Sequence, residues 1–407
     1  MSFTTVRVPH ILLPKKGTDM TAYAVIACDQ FTSQRSYWDD LKKMVGDKPS
    51  TLHMIFPEAY LETSNGDEYI KNINQNIRKY LSDGVLEDIG PCFVLVERIT
   101  SYGTRRLGLM LSIDLEDYSY CKGVKCSIKA SEATIVERIP PRLKIRKDAP
   151  IELPHTLVLF DDPLKAIVEP LYAKRDQLPL LYDFELNQEG GHIRGYRIDD
   201  TKKVISLFED LYKRNNNGLS FIVGDGNHSL ATAKEHWEQI KVHLSAKERE
   251  NHPARFALVE ANNVYDEGIV FEPIHRILFN VNPNFEKKLM EICCGSVVEC
   301  YIFDGINGKK PIKMPLNAAE TYKLIQSTID DYLKENKNST VDFIHDESSL
   351  ISIAKSNTNS VAIKMPALGK NDIFAFVSKD AVLPRKSFSM GHASEKRYYL
   401  EAKSIRG

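Results

Sequence analysis

The stretch Phe221-Ile222-Val223-Gly224-Asp225-Gly226-Asn227-His228-Ser229-Leu230 gathers the sharpest chemistry in the chain. Gly224 and Gly226 stand two apart, after a short apolar run and before a helical pattern. They let the backbone bend tightly and approach a ligand closely. The helix start that follows carries unpaired N–H groups and partial positive charge, a natural seat for phosphate or carboxylate. The dipole contributes about 0.3–1 kcal/mol to such an anion, and about 2 kcal/mol when partly buried. Asp225 is the candidate metal ligand or base at this mouth, and Asn227, His228 and Ser229 add polar groups. The same residues also suit a plain turn. Two standard phosphate motifs fail. Ser229 stands where a dinucleotide fingerprint needs its third glycine, and Gly305-Ile306-Asn307-Gly308-Lys309-Lys310 lacks P-loop spacing.

Positive charge near an anion has several candidate sources. Arg138, Arg142, Lys144, Arg146 and Lys147 cluster within ten positions around Pro140-Pro141. Read as an extended crossing, the segment puts Arg142, Lys144 and Arg146 on one side. Such a run is either a solvated face or a basic strand lining a pocket. The stretch around Ser387, Ser389, His392, Lys396 and Arg397 is too polar for a core. It reads as an anion-binding lid, with Lys386 or Arg397 reaching phosphate, or as a surface helix laced by Glu395. His275-Arg276 follows Phe271–Ile274 at the start of an expected edge strand. Cys28 beside Asp29 is a redox thiol or a buried small residue. Asp161-Asp162 could hold Mg²⁺, although a loop cap is the commoner use. No Cys-x-x-Cys, His-Glu-x-x-His or Gly-x-Ser-x-Gly occurs. Zinc, haem, a nicotinamide cofactor and a hydrolase elbow are therefore not expected.

These groups need elements to position them. Tyr37, Leu41, Met44 and Val45 recur at helical spacing, as do Ile70, Ile73, Ile77 and Leu81 before Gly84. Strands are predicted at 92–96, 107–111, 156–160, 220–223 and 255–260. Helices are predicted after Asp199-Asp200, at 229–241, and after Asn317, which caps with Glu320 three residues on. Further strand-like pieces fall at 341–345, 350–354, 361–365 and 373–377. The fold class is α/β, or mixed α+β, in three segments: 1–150, 151–280 and 281–407. No repeat or low-complexity tract appears.

Composition bounds the rest. With 407 residues, 43% hydrophobic and 27% charged, the chain is a folded protein of more than one domain. Its 54 Lys+Arg against 55 Asp+Glu give a formal charge of -1, which argues against nucleic acid and polybasic membrane binding. Seven scattered cysteines, the absence of a signal-peptide pattern and the lack of a long apolar run predict free thiols and a cytoplasmic location.

The 224–229 turn resembles the Asp-Gly-His-His-Arg motif of the DUF1015 family. The resemblance extends along nearly the whole chain. Ala27-Cys28-Asp29-Gln30 resembles the family's Tyr-Asp-Val, and Lys129-Ala130-Ser131-Glu132-Ala133-Thr134 its Arg-x-x-Glu-x-Thr. His275-Arg276 matches a His-Arg after a strand, and Pro384-Arg385-Lys386-Ser387 resembles Pro-x-Lys-Ser. The family is similar in turn to the ParB/sulfiredoxin group, which includes nucleotide hydrolases, a sulfinic-acid reductase and free-serine kinases. The resemblance implies a ParB/sulfiredoxin-like core with additional N- and C-terminal α/β segments. It also implies phosphate handling from a nucleotide, ATP or ADP, with Mg²⁺. Here Asn227 and Ser229 replace the family's first His and its Arg, which removes a bidentate phosphate clamp.

The expected function is small-molecule phosphotransfer or phosphate-ester hydrolysis, on serine or phosphoserine in its most specific form. Asp225, His228 and Asp29 are the catalytic candidates, with Asp225 also the metal candidate. Gly224, Gly226, Asn227, Ser229, His275, Arg276, Arg142, Lys386, Ser387 and His392 are the phosphate or substrate contacts. The expected partner is a phosphorylated small molecule, with a homo-oligomer compatible and neither membrane nor nucleic acid foreseen. The alternative is a non-catalytic nucleotide- or metabolite-binding regulator using the same pocket.

Overall fold

Apolar strands buried on both faces build the centre of the fold. In the computed structural model all residues are described except 1–4, 62–64, 122, 216–217, 293–294, 296, 304–307, 316 and 379–381. The chain forms two compact units. One comprises Met1–Ala130, Thr134–Ile269 and His392–Gly407, the other Ser131–Ala133 and Val270–Gly391. The three consecutive segments expected from the sequence are thus interleaved, because one sheet draws strands from both sides of residue 150.

That sheet has ten strands among the described residues. They are β1 (Val6–Arg7), β2 (Phe93–Ile99), β3 (Arg105–Asp114), β4 (Tyr118–Ser119) and β5 (Ile128–Ala130), then β6 (Leu157–Phe160), β7 (Leu180–Leu186), β8 (Gly191–Ile198), β9 (Phe221–Asp225) and β10 (Phe256–Asn263). The order is β7-β8-β2-β3-β10-β6-β9-β5-β4, with β1 also on β3. It is mixed: β6 runs parallel to β10 and antiparallel to β9, and β9 runs parallel to β5.

Side-chain alternation along β2 explains the layering. Phe93 and Leu95 enter one apolar cluster, Val94 and Val96 the other. On the Val94 side lie α1 (Arg35–Val45), through Trp38 and Leu41, and α2 (Gly66–Ser82), through Ile73 and Ile77. On the Phe93 side lie α4 (Thr201–Asn215), through Val204 and Phe208, and α5 (Asn227–Lys241), through Leu230 and Trp237. The intervening α3 is Ile139–Lys147.

α3 corrects the extended reading of this segment. Pro140 and Pro141 fall in its first turn, where no N–H donor is required and the fixed φ suits a helix. Arg138, Arg142 and Arg146 now recur every four residues along one face. Two other predicted strands, 350–354 and 373–377, lie in the helices Glu347–Lys355 and Lys370–Val377. Their apolar runs are too short to fix a period. The first begins where the Asp346 side chain accepts the Ser349 N–H at 2.7 Å. Asn317 caps as expected, accepting from Ala319 and Glu320 at 2.9 and 3.2 Å.

The second unit holds a five-stranded sheet among its described residues. Its order is Lys309–Met314, Val297–Phe303, Ser360–Lys364, His275–Phe279, Thr340–Ile344. The strand His275–Phe279 is therefore interior, while Phe271–Pro273, where an edge strand was expected to start, pairs with Phe388–Met390 in a two-stranded sheet. Five described cysteines, Cys28, Cys92, Cys121, Cys126 and Cys300, are free thiols. Cys293 and Cys294 lie outside the described residues. No described helix is long and apolar enough to cross a membrane.

Within the first unit, Tyr398–Tyr399 pairs with Val25–Ile26, and Lys403–Ser404 with Ile151–Glu152. Arg397 beside them is buried. Its guanidinium meets the Glu260 and Glu401 carboxylates, and its Nε donates to the Pro154 carbonyl at 3.2 Å. Removing one member of such a set strands the other charges in low dielectric. Arg397→Met is expected to destabilise the protein by about 3–5 kcal/mol in urea denaturation; a loss below 1 kcal/mol would show that the carboxylates find other partners.

Candidate functional site

β9 delivers the chain to a single left-handed residue, Gly226, at φ 78°. A Cβ there would stand 2.9 Å from the Thr156 backbone, so only glycine fits both the angle and the approach. α5 starts at once, and no side chain caps it. Leu230 N–H donates to the Gly226 carbonyl at 3.0 Å. Asp225 Oδ1 accepts the Gly226 N–H at 2.9 Å, while Oδ2 faces Lys396 Nζ at 3.3 Å. His228 Nε2 accepts the Ile135 N–H at 3.2 Å. Burial, with the nearby Arg142 and Arg138 charges, pushes this imidazole down to about 4, so it is neutral at pH 7.

Beside the turn, still within the first unit, lies a cavity of about 390 Å³. Met54, Ile55, Phe56, Ile73, Ile77 and Ile145 make its apolar wall, and Cys28, Glu58, Arg138, Arg142, His155, Ser229 and Tyr399 its polar part. Arg142 pairs with Glu58 and also donates to the Arg138 carbonyl at 2.9 Å. Asp29 accepts from Gln30 Nε2 at 3.0 Å, and its Oδ2 is 3.9 Å from His155 Nε2. Burial opposes its charge, yet His155, Gln30, Lys396 and Arg142 together hold the carboxyl below its ordinary range. Asp29 is ionised.

Tyr399 links the rest. Its hydroxyl lies 2.8 Å from His155 Nδ1 and 3.1 Å from Cys28 Sγ, and accepts the Cys28 N–H at 3.2 Å. Burial, then Asp29 and Glu58, push the Cys28 thiol up to about 12. It stays protonated, which does not fit a redox thiolate, and Cys28 is half-buried at the cavity wall.

The turn residues Gly224–Ser229, Asp29 and Arg142 thus belong to one unit, and Arg142 is close enough to bias both Asp29 and His228. Other expected contacts have separate duties. His275, Arg276, Lys386 and Ser387 belong to the second unit. His275 Nδ1 accepts the Met365 N–H at 3.1 Å, and burial drives it to about 4. His275 therefore does not supply positive charge to an anion, and His228 is likewise a neutral imidazole. Arg276 is buried, donates to Gln326 at 3.2 Å and lies 5.1 and 5.2 Å from the Tyr322 and Phe343 ring centroids. Glu132 gathers the N–H groups of Lys386, Ser387 and Phe388 at 2.9, 2.9 and 3.3 Å. Two of the quoted motifs thus lock onto each other. His392 packs 4.8 Å from the Tyr102 ring, and its N–H donates to Glu395. Arg397, buried between its carboxylates, is not the phosphate contact it resembled.

Sequence reasoning did not single out Glu58 and His155, which stand in unremarkable stretches, or Tyr399, which lies in the C-terminal stretch read as too polar for a core. Among the described residues no three His, Cys, Asp or Glu gather as a metal-holding group.

A family model described as "Protein of unknown function (DUF1015)" matches residues 12–402. No curated protein matches. The chain is similar to solved structures at low identity. One is a free serine kinase variant in complex with ADP, at 8% identity, 74% of this chain, 94% of that chain and TM-score 0.41. Another is a conserved hypothetical protein from Pyrococcus furiosus, at 9%, 73%, 95% and 0.35. A third is SbnI from Staphylococcus aureus with a C-terminal truncation, at 8%, 69%, 82% and 0.39.

Three histidines, His228, His236 and His275, are held near 4 chiefly by burial. Unfolded, each titrates near about 6.5. The unfolded chain then binds more protons between these values, so their stabilisation is complete above about pH 6.5 and is lost as pH falls through about 4. The thermal midpoint should drop across this window, and the His228→Gln/His236→Gln double variant should drop less steeply. Equal slopes would mean these imidazoles are not held neutral.

Proposed function

The chain belongs to the DUF1015 family, and from that premise we propose that it is an enzyme of small-molecule phosphotransfer or phosphate-ester hydrolysis. The supporting observation is a cavity lined by Arg138, Arg142 and Ser229 of the uncapped α5 start, with the ionised Asp29 next to its lining residues Cys28 and His155. The α5 amides and the guanidinium groups of Arg142 and Arg138 take the phosphoryl oxygens, where charge develops during transfer. They stand in for the arginine that Ser229 replaces. Asp29 accepts the proton of the attacking hydroxyl or water, since an unaided alcohol is a poor nucleophile at neutral pH. The apolar wall takes the organic part of the substrate.

A Mg²⁺ ion and a nucleotide are what the family resemblance implies. Asp225 does not fit a protein-held cation, because Lys396 already occupies its Oδ2 side and the Gly226 amide its Oδ1. No step here uses a metal. A nucleotide fits the cavity as phosphate followed by an apolar-bound base. ATP or ADP with serine or phosphoserine is the finest form of the proposal. The free thiols suit a reducing, cytoplasmic setting. The Lys396–Asp225 pair favours the second reading, binding without turnover, because it neutralises one expected acid.

A thermal-shift panel of ATP, ADP, pyrophosphate, phosphoserine and serine, each with and without Mg²⁺, tests this. A phosphorylated ligand at 100 times its Kd should add about 2.7 kcal/mol of stability. Arg142→Gln should lose that shift. Asp29→Asn should keep it and lose turnover by about 10²-fold or more. Absence of a shift with every phosphorylated ligand sinks the proposal, and a shift without turnover selects the regulator.

A further inference from the structure

α3 turns two stripes toward the cavity. From its N-cap onward Arg138, Arg142 and Arg146 recur at four-residue spacing, and Pro141 and Ile145 form an apolar row beside them. α2 adds Ile73 and Ile77, one turn apart, and the segment before it adds Met54 and Phe56. These four side chains are buried. The charged lining lies nearer water: Glu137 and Arg138 are exposed, and Arg142 and Glu58 keep 22% and 19% of their side chains exposed. The cavity thus has a basic mouth and an apolar interior. Its acids are already engaged. Glu58 meets Arg142, and the buried Glu152 meets Arg146, accepts the Leu258 N–H at 2.7 Å and has Lys403 Nζ at 3.7 Å. Asp29, beside the lining, is flanked by His155 and Gln30.

We propose that the organic part handled at this site is an uncharged, apolar alcohol, bound as its phosphomonoester with phosphate at the basic mouth and hydrocarbon against α2 and α3. This rests on the cavity being a phosphate site and narrows that reading, moving its organic part from serine to hydrocarbon. Phosphoserine would carry an ammonium and a carboxylate past the mouth to a wall that hydrates neither. Charges so placed are costly unless paired. The cations at the mouth are taken by the phosphate, and the buried carboxylate of the lining has its own partners. A hydrocarbon chain needs no partner and gains with each methylene removed from water.

The test is calorimetric titration of methyl, butyl and hexyl phosphate and of phosphoserine, at fixed pH and ionic strength, into the wild type, Ile145→Gln and Arg142→Gln. Wild-type affinity should rise about fourfold with each methylene, so that butyl phosphate binds more tightly than methyl phosphate by about sixtyfold. Phosphoserine should bind no more tightly than methyl phosphate. Ile145→Gln places an amide in the apolar row and should weaken hexyl phosphate by about tenfold and methyl phosphate by less. Arg142→Gln should weaken all four. If Ile145→Gln fails to fold, the chain-length series in the wild type still decides. Equal affinities along that series, or phosphoserine as tight as hexyl phosphate, overturn the apolar class and leave the phosphate site standing. Binding of none of the four esters overturns this inference and the phosphate site together.

Discussion

Arg397 lies between Glu260 on β10 and Glu401 on its own segment, with almost no exposure to water. A guanidinium in that position cannot be moved without leaving two carboxylates in a poorly polarisable interior. The contact fixes the segment that follows residue 391 against the middle of the ten-stranded sheet. Its neighbours inherit the placement: Lys396 reaches Asp225, and Tyr399 reaches Cys28 and His155. The cavity therefore depends on a charge cluster that itself touches no part of it.

The cavity's electrostatics follow from a second constraint. Pro140 and Pro141 start α3 as a helix, and the four-residue spacing of its arginines sends Arg142 and Arg146 to one wall. An extended strand would have sent Lys144 with them. Instead Lys144 lies outward and pairs with Asp67. The charge at Arg142 adds to His155, Gln30 and Lys396 in holding Asp29 ionised, and to burial in keeping His228 neutral. One helix start thus biases two acid–base groups on other elements.

Much of this was legible in the chain. The β9–Gly226–α5 unit could be read because an apolar run, two glycines and a helical period each have a local cause. The Asn317 cap and the α1, α2 and α4 periods share that advantage. What escaped was non-local. Nothing near Glu58, His155 or Tyr399 marks them, since their importance arises from pairing across large separations. The stretches 350–354 and 373–377 read as strands because five apolar-rich residues do not discriminate a period of 2.0 from 3.6. The basic run misled for a related reason: proline is a breaker inside a helix but a starter in its first turn. Lys386 and Ser387 belong to a motif whose visible work is structural, their amides being gathered by Glu132.

The interleaving of the two units has a bearing on how the protein comes into being. Residues 392–407 are polymerised after residues 270–391, yet they complete the earlier unit. Until they emerge, Glu260 on a central strand has no Arg397, and the Val25–Ile26 backbone has no partner strand. A nascent chain would thus carry an acidic gap and an open edge through the whole synthesis of its second unit, an interval in which chaperone shielding has most to protect.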